Sequence, residues 1–222
     1  GVEYFLDLSF QLKTATKWAA KGFEIGWEQI PLTAPVADAK LVAAKGPAVA
    51  VNGDAVNGED FEIVFDSKIG AMKSWKLGGR ELLLAGFRPD FWRAPNENDR
   101  GNKMISRNAV WRYAGRDWVP TTKGFEPAAD GAVKITFSGP LPKDAGTCDV
   151  TYTVRRDGWV EVGFHLTPKQ GLSDIPRVGM AGELPTEFDR VTWFGPGPQD
   201  TYSDRKEARV GLYSGTVAEQ FT

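Results

Sequence analysis

Arg93, Asn98, Asp99, Gly101, Asn102, Lys103, Ser106 and Arg107 crowd into one short stretch of the chain. The aromatic pair Phe91-Trp92 runs directly into it, through Ala94-Pro95-Asn96-Glu97. Asn and Asp are well suited to sugar hydroxyls, because both offer planar acceptors and Asn adds donors. The same residues also bond nearby backbone amides, and glycine permits positive φ. A capped, solvated turn after an edge strand is therefore the competing reading. The density of Arg93, Glu97, Asp99 and Arg100 sets the two readings level.

A second stretch has the same texture. Trp193-Phe194 ends a strand, Gly195-Pro196-Gly197-Pro198 forms a rigid turn, and Gln199, Asp200, Tyr202, Asp204 and Arg205 follow. Proline fixes φ and glycine supplies conformations other residues avoid, so the loop should hold one shape. Such a loop can orient a ligand or dock another domain. A structural corner built on Trp193, Gly195, Gly197 and Tyr202, stapled by Asp204 to an arginine such as Arg205, is the favoured expectation.

Hydrolysis of a glycosidic bond needs two carboxyl groups, about 5 Å apart in a retaining enzyme and farther in an inverting one. Glu97 with Asp99, or Asp200 with Asp204, can be nominated, but acidic residues in β loops are usually solvated. Neither pair is expected to be a catalytic dyad. Cys148 is the only cysteine and His165 the only histidine, so neither a disulfide nor a Cys/His metal site is available. Cys148 should pack at a strand start, and His165 should lie on the exposed face with Glu161. Of the eight tryptophans, Trp75, Trp159 and Trp193 are expected in strands and in the core. Trp92, Trp111 and Trp118 lie nearer loops, from which a ring can reach a sugar face, although burial is the commoner fate.

The elements that must position these residues are strands. Tyr4, Leu6, Leu8, Phe10 and Leu12 alternate with mostly polar residues, and Phe23, Ile25 and Trp27 share a face. Two strands cannot bury both faces alone, so partners are required. Thr33 to Lys45 is alanine-rich, begins near Pro35 and ends at Gly46-Pro47, which suits a linker. Strand runs then recur at 61–66, 71–77, 133–137, 149–154, 159–164 and 190–194. Asp157-Gly158 marks a hairpin. No convincing helical period and no internal repeat is present. An all-β fold with a large antiparallel sandwich is the natural architecture. Lys and Arg number 27 against 29 Asp and Glu, so no basic surplus exists for nucleic acid. No apolar run approaches the ~20 residues of a membrane helix.

Taken in order, Phe91-Trp92-Arg93-Ala94-Pro95, Asn98-Asp99-Arg100-Gly101, Ile175-Pro176-Arg177-Val178-Gly179-Met180 and Trp193-Phe194-Gly195-Pro196-Gly197-Pro198 to Tyr202-Ser203-Asp204-Arg205-Lys206 resemble the small-chain domain of family-two β-galactosidases. Gly22 to Leu32 resembles the last strand of the immunoglobulin-like domain that precedes it. The resemblance implies residues 1–34 as terminal strands of an immunoglobulin-like sandwich, 35–47 as linker, and 48–222 as a mutarotase-like sandwich that stops before its end. It further implies a retaining enzyme acting on β-D-galactosides, whose two catalytic glutamates lie in a barrel domain outside this chain. Arg93, Asn98 and Asp99 would then lie near the substrate pocket and the segment Gly101 to Arg107 would form a mobile loop beside it, whereas Trp193 to Arg205 would be structural. Full-length members often use magnesium and sodium ions; no site for either is predicted here. The resemblance fits a bacterial protein of cytoplasm or periplasm.

Two departures from the family pattern stand at Asn96-Glu97 and Gln199-Asp200. The opening Gly1-Val2-Glu3-Tyr4 has the texture of mid-strand, as in a chain cut from something longer. Missing strands would leave open edges and an exposed core face, favouring a homo-oligomer, strand swapping or marginal stability. Two other functions compete: a free-standing carbohydrate-binding β-sandwich, and a mutarotase-like epimerase, which would need a better-placed histidine than His165.

Overall fold

A computed structural model describes residues 2–34, 44–202 and 204–220. Most of the linker expected at 35–47 thus lies outside the described residues. In chain order the strands are β1 (Phe5–Gln11), β2 (Glu24–Pro31), β3 (Ala50–Asn52), β4 (Ala55–Asn57), β5 (Phe61–Asp66), β6 (Ala71–Leu77), β7 (Arg80–Glu81) and β8 (Ala85–Asp90). Two short helices follow, α1 (Glu97–Gly101) and α2 (Met104–Arg107). The remaining strands are β9 (Thr122–Pro127), β10 (Val133–Pro140), β11 (Gly146–Val154), β12 (Val160–Pro168), β13 (Gly179–Glu183), β14 (Arg190–Gly197) and β15 (Arg209–Thr216). The fold is all-β and antiparallel, as the strand periods predict. The helices correct the expectation of none: each is about one turn long, too short for any apolar period to register.

The chain divides into two compact units. The larger, residues 44–188, is a β-sandwich. One sheet has the order β3-β4-β5-β6-β7 and another the order β12-β11-β10-β9, with β8 paired to β13. Alternation decides what each face buries. Phe61, Ile63 and Phe65 of β5 turn inward, as do Val133, Ile135 and Phe137 of β10 and Cys148, Val150, Tyr152 and Val154 of β11. The Phe65 ring meets Tyr152 at 5.1 Å and Phe137 at 6.1 Å, closing the two sheets on each other. The Asp-Gly hairpin forms as its sequence predicts: Gly158 has φ +79°, and Arg155 N donates to Trp159 O at 2.9 Å. Cys148 is buried and His165 is exposed, both as expected.

Tryptophan placement needs one correction. Trp159 was expected in the core but precedes β12 and is 65% exposed. Trp111 and Trp118, near loops in sequence, are fully buried, the commoner fate expected for them, and offer no ring face to a sugar.

Tyr152 shows how the core treats a polar atom. Its hydroxyl donates to Phe87 O at 3.1 Å or to Gly70 O at 3.4 Å, and burial pushes its phenol up. Tyr152→Phe removes the hydroxyl but keeps the ring. The expected loss is about 1 kcal/mol in urea unfolding, the net worth of one such bond.

The smaller unit joins residues 2–34 to residues 189–220. Within it β1 pairs with β2, and β14 with β15. Gln29 exchanges two bonds with the Val210 backbone, at 2.8 and 2.9 Å. Arg209 binds Glu24 at 2.8 Å and lies 4.5 Å over the Trp27 ring. The alternation of Tyr4, Leu6, Leu8 and Phe10 is real, yet all four are exposed among the described residues.

Candidate functional site

The larger unit carries the charged stretch between β8 and β9. Its entry is fixed first. Asp90, the last residue of β8, accepts from Trp92 N at 3.0 Å and from Arg177, so the chain leaves the strand along a set path. Phe91 is buried against Trp111 and Phe164. Arg93 then reaches forward to grip Asp99 with both terminal nitrogens, Nη2 to Oδ1 at 2.9 Å and Nη1 to Oδ2.

Asn96 and Asp99 form a reciprocal cap on α1. Asp99 N donates to Asn96 Oδ1 and Asn96 N donates to Asp99 Oδ2, each at 2.9 Å. Two amides that a helix start leaves unpaired are thereby satisfied. Asp99 is buried, and Arg93 with the Asn96 amide holds its carboxyl below the usual carboxylate range. With both oxygens engaged, Asp99 serves as a fastener rather than a proton donor. Glu97 is exposed and paired with Arg100 at 2.9 Å.

The far end is pinned as firmly. Asn108 is buried, and its Nδ2 donates to Asp174 O at 2.6 Å; the Trp111 indole donates to Ser173 O at 3.0 Å. Between these anchors only Met104 points inward. Gly101, Asn102, Lys103, Ser106 and Arg107 are exposed, as is Asn98. Arg107 donates to Asn108 Oδ1 at 3.1 Å and to Asn102 Oδ1 at 3.4 Å, while Ser106 Oγ donates to Lys103 O. The left-handed residue is Lys103 (φ 61°) rather than Gly101, and it separates α1 from α2. The structure thus gathers all eight nominated residues into one ledge, held at both ends and presenting Asn98, Asn102 and Lys103 outward.

Of the parts that hold this ledge, Arg93 and Asp99 are among the nominated residues, whereas Asn96 and Asn108 are not. Asn96 and Asp99 have the spacing of a helix cap, which was legible. The partners Ser173 and Asp174 come from a distant stretch without a local signal, and Arg177 stands in the Ile175 to Met180 motif with nothing there to tie it to Asp90.

The second stretch belongs to the smaller unit. Trp193 stacks on Tyr213 at 5.3 Å and donates to Pro196 O at 3.2 Å. A Cβ on Gly197 would lie 2.8 Å from the Tyr213 ring, so only glycine fits beside that stack. Tyr202 and Arg205 exchange backbone bonds of 3.0 Å across a tight turn. The staple differs from expectation: Arg205 lies 4.0 Å from Asp200, not on Asp204. Asp200 is the nearer anion. The turn expected at Gly195 to Pro198 is corrected: β14 continues through Gly197, with Gly195 opposite Gly211 and Pro196 opposite Val210. Among the described residues, no group of three or more His, Cys, Asp or Glu could hold a metal ion, and no helix is long and apolar enough to cross a membrane.

A family model described as β-galactosidase small chain matches residues 57–222, and one described as β-galactosidase domain 4 matches residues 1–33. Among curated proteins, the chain is 36% identical to a β-galactosidase of Priestia megaterium, over 99% of this chain and 22% of that protein. It is 30% identical to one of Clostridium acetobutylicum, over 96% of this chain and 24% of the relative. A third, from Psychromonas ingrahamii, is 28% identical over 100% of this chain and 23% of its own length. The chain therefore spans less than a quarter of these relatives.

Proposed function

The chain belongs to the β-galactosidase small-chain family, and from that premise we propose that it is a non-catalytic portion of a retaining β-galactosidase. In this reading it lies at the carboxyl-terminal end of a full enzyme that hydrolyses terminal β-D-galactosides. Residues 1–34 finish an immunoglobulin-like sandwich, 35–47 link, and 48–222 form the small-chain domain. The ledge of Arg93 to Arg107 helps to wall the active site, with Asn98, Asn102 and Lys103 toward the sugar. The catalytic carboxylates and the barrel domain come from the rest of the polypeptide.

The observation that carries this reading is the doubly anchored ledge. A surface segment held by an Arg93–Asp99 fork at one end and by Asn108 and Trp111 at the other is preorganised for contact. Asp99 is locked as an anion, and Glu97 is paired in solvent, so the ledge can position a sugar but cannot supply an acid and a nucleophile. A free-standing carbohydrate-binding module would need exposed rings as platforms. Trp111 and Trp118 are buried, while Trp18 and Trp159 are exposed, so a binding-module reading would have to rest on those two rings.

A hybrid enzyme tests the proposal. The chain replaces its matching region in the Priestia megaterium relative, and the hybrid is given a nitrophenyl β-galactoside. Hydrolysis is expected, with the β-anomer of galactose as first product in a proton spectrum. A folded hybrid that is inactive, or that yields the α-anomer first, would contradict the assignment.

A further inference from the structure

We propose that Asn52 is a site of spontaneous self-modification, where the neighbouring Gly53 amide and water convert its carboxamide to aspartate and isoaspartate. The site lies wholly in the larger unit, at the tip of the β3–β4 hairpin. The proposal is independent of the galactosidase reading.

The chemistry favours an asparagine followed by glycine, because the next backbone nitrogen must close on the carboxamide without a side chain in the way. Asn-Gly occurs twice in the chain, at Asn52-Gly53 and at Asn57-Gly58. At the first, the Gly53 nitrogen bonds to Asn52 Cγ, the Cγ–Nδ2 bond breaks, and ammonia leaves with the Gly53 amide proton. Water then opens the cyclic imide. Its hydroxyl goes to Cγ, giving aspartate, or to the main-chain carbonyl carbon of residue 52, giving isoaspartate. In either case its proton returns to the Gly53 nitrogen.

The two steps stand in opposite surroundings. Asn52 and Gly53 are both exposed, Gly53 has φ +61°, and a Cβ built on it would meet nothing within 4 Å. Among the described residues, neither the Asn52 carboxamide nor the Gly53 N–H has a hydrogen-bond partner. Attack requires Asn52 to leave its extended backbone, and little opposes that. β3 has three residues, all exposed, and lies at the edge of its sheet, where local opening costs least. Asn57 is half-buried in β4, which is paired on both sides. Gly58 N donates to Phe61 O at 3.0 Å, and a Cβ on Gly58 would fall 2.0 Å from the Phe61 ring. The attacking nitrogen is thus engaged at the second step and free at the first.

The product alters the hairpin. Asp54 binds Lys123 at 3.0 Å and Ser67 at 2.9 Å, and a carboxylate at residue 52 adds like charge beside it. Isoaspartate also lengthens the main chain by one carbon, so Val51↔Val56 and Asn52↔Ala55 can no longer both keep register.

The test follows each asparagine separately. The full chain is held at mildly alkaline pH, folded in buffer or unfolded in urea, and conversion is located by peptide fragmentation in a mass spectrometer. In the folded chain Asn52 is expected to convert at least about tenfold faster than Asn57, the rate factor of a hydrogen bond that must open first. In urea the two rates should converge, since each asparagine then has only glycine beside it. Isoaspartyl methyltransferase should label the aged folded chain, and Asn52→Ala should lose most of that label with the fold intact. Equal rates at the two sites in the folded chain would overturn the proposal. Label undiminished in Asn52→Ala would do so too, as would folding that slows Asn52 as strongly as Asn57.

Discussion

Asp99→Ala is expected to lower kcat/KM of the hybrid enzyme about 100-fold, the scale on which a misplacement of about 1 Å acts. The reason is structural. Asp99 is the point where Arg93, the Asn96 cap and the first turn of α1 meet. Without its carboxylate the fork has nothing to grip, α1 loses half of its reciprocal cap, and Asn98 and Asn102 lose their fixed positions. Arg93→Ala should reproduce most of the loss, while Glu97→Gln, which breaks only an exposed pair, should cost less than about threefold. Equal losses in all three variants would show that charge in general matters, rather than the fork.

The same fork sets a pH response. The Asp99 carboxyl is held below its usual value, so its contribution to stability is complete above the unfolded value of about 3.9. It falls away as pH drops through the lower folded value. Stability from this group should therefore be flat across neutral pH and decline only in strong acid.

Trp118→Ala is the second large effect, expected at about 3–5 kcal/mol in denaturant unfolding followed by circular dichroism. Trp118 is 0% exposed, and its indole donates to Gly139 O at 3.3 Å. An added Cβ on Gly70 would lie 2.8 Å from its ring, so packing there is tight on that side. Its carbonyl also holds Arg88. Removing the ring leaves a void between elements that cannot collapse freely. Against a typical stability of about 5–15 kcal/mol, such a loss is a large share of the total. A change below about 1 kcal/mol would show that the surrounding loops close over the gap.

Sequence made the sandwich visible wherever alternation was strong. β5, β10 and β11 carry Val, Ile and aromatic residues every second position, and their inward faces form the core. β8, β13 and β15 were not foreseen, for a common reason. Pro89 lies within β8, and Gly179, Gly182, Gly211 and Gly215 interrupt the other two, so neither propensity nor period marks them. Their pairing is decided by partners far along the chain, as when Met180 meets Pro89. The candidate ledge was legible as a cluster of residue types, but its helical geometry was not. Two one-turn helices separated by a left-handed Lys103 leave no period to detect, and only the Asn96 to Asp99 spacing signals a cap. The tryptophans teach the complementary lesson. Trp111 and Trp118 sit in irregular chain yet are core, because turns as well as strands can aim a ring inward.

The most direct measurement is an assay of the purified chain alone on a nitrophenyl β-galactoside, with the hybrid enzyme run beside it. If the catalytic carboxylates lie outside these residues, the hybrid turns over and the chain alone releases nitrophenol no faster than buffer. Turnover by the chain alone, lost when Glu97 or Asp99 is replaced, would contradict the central claim and place the acid and nucleophile within it.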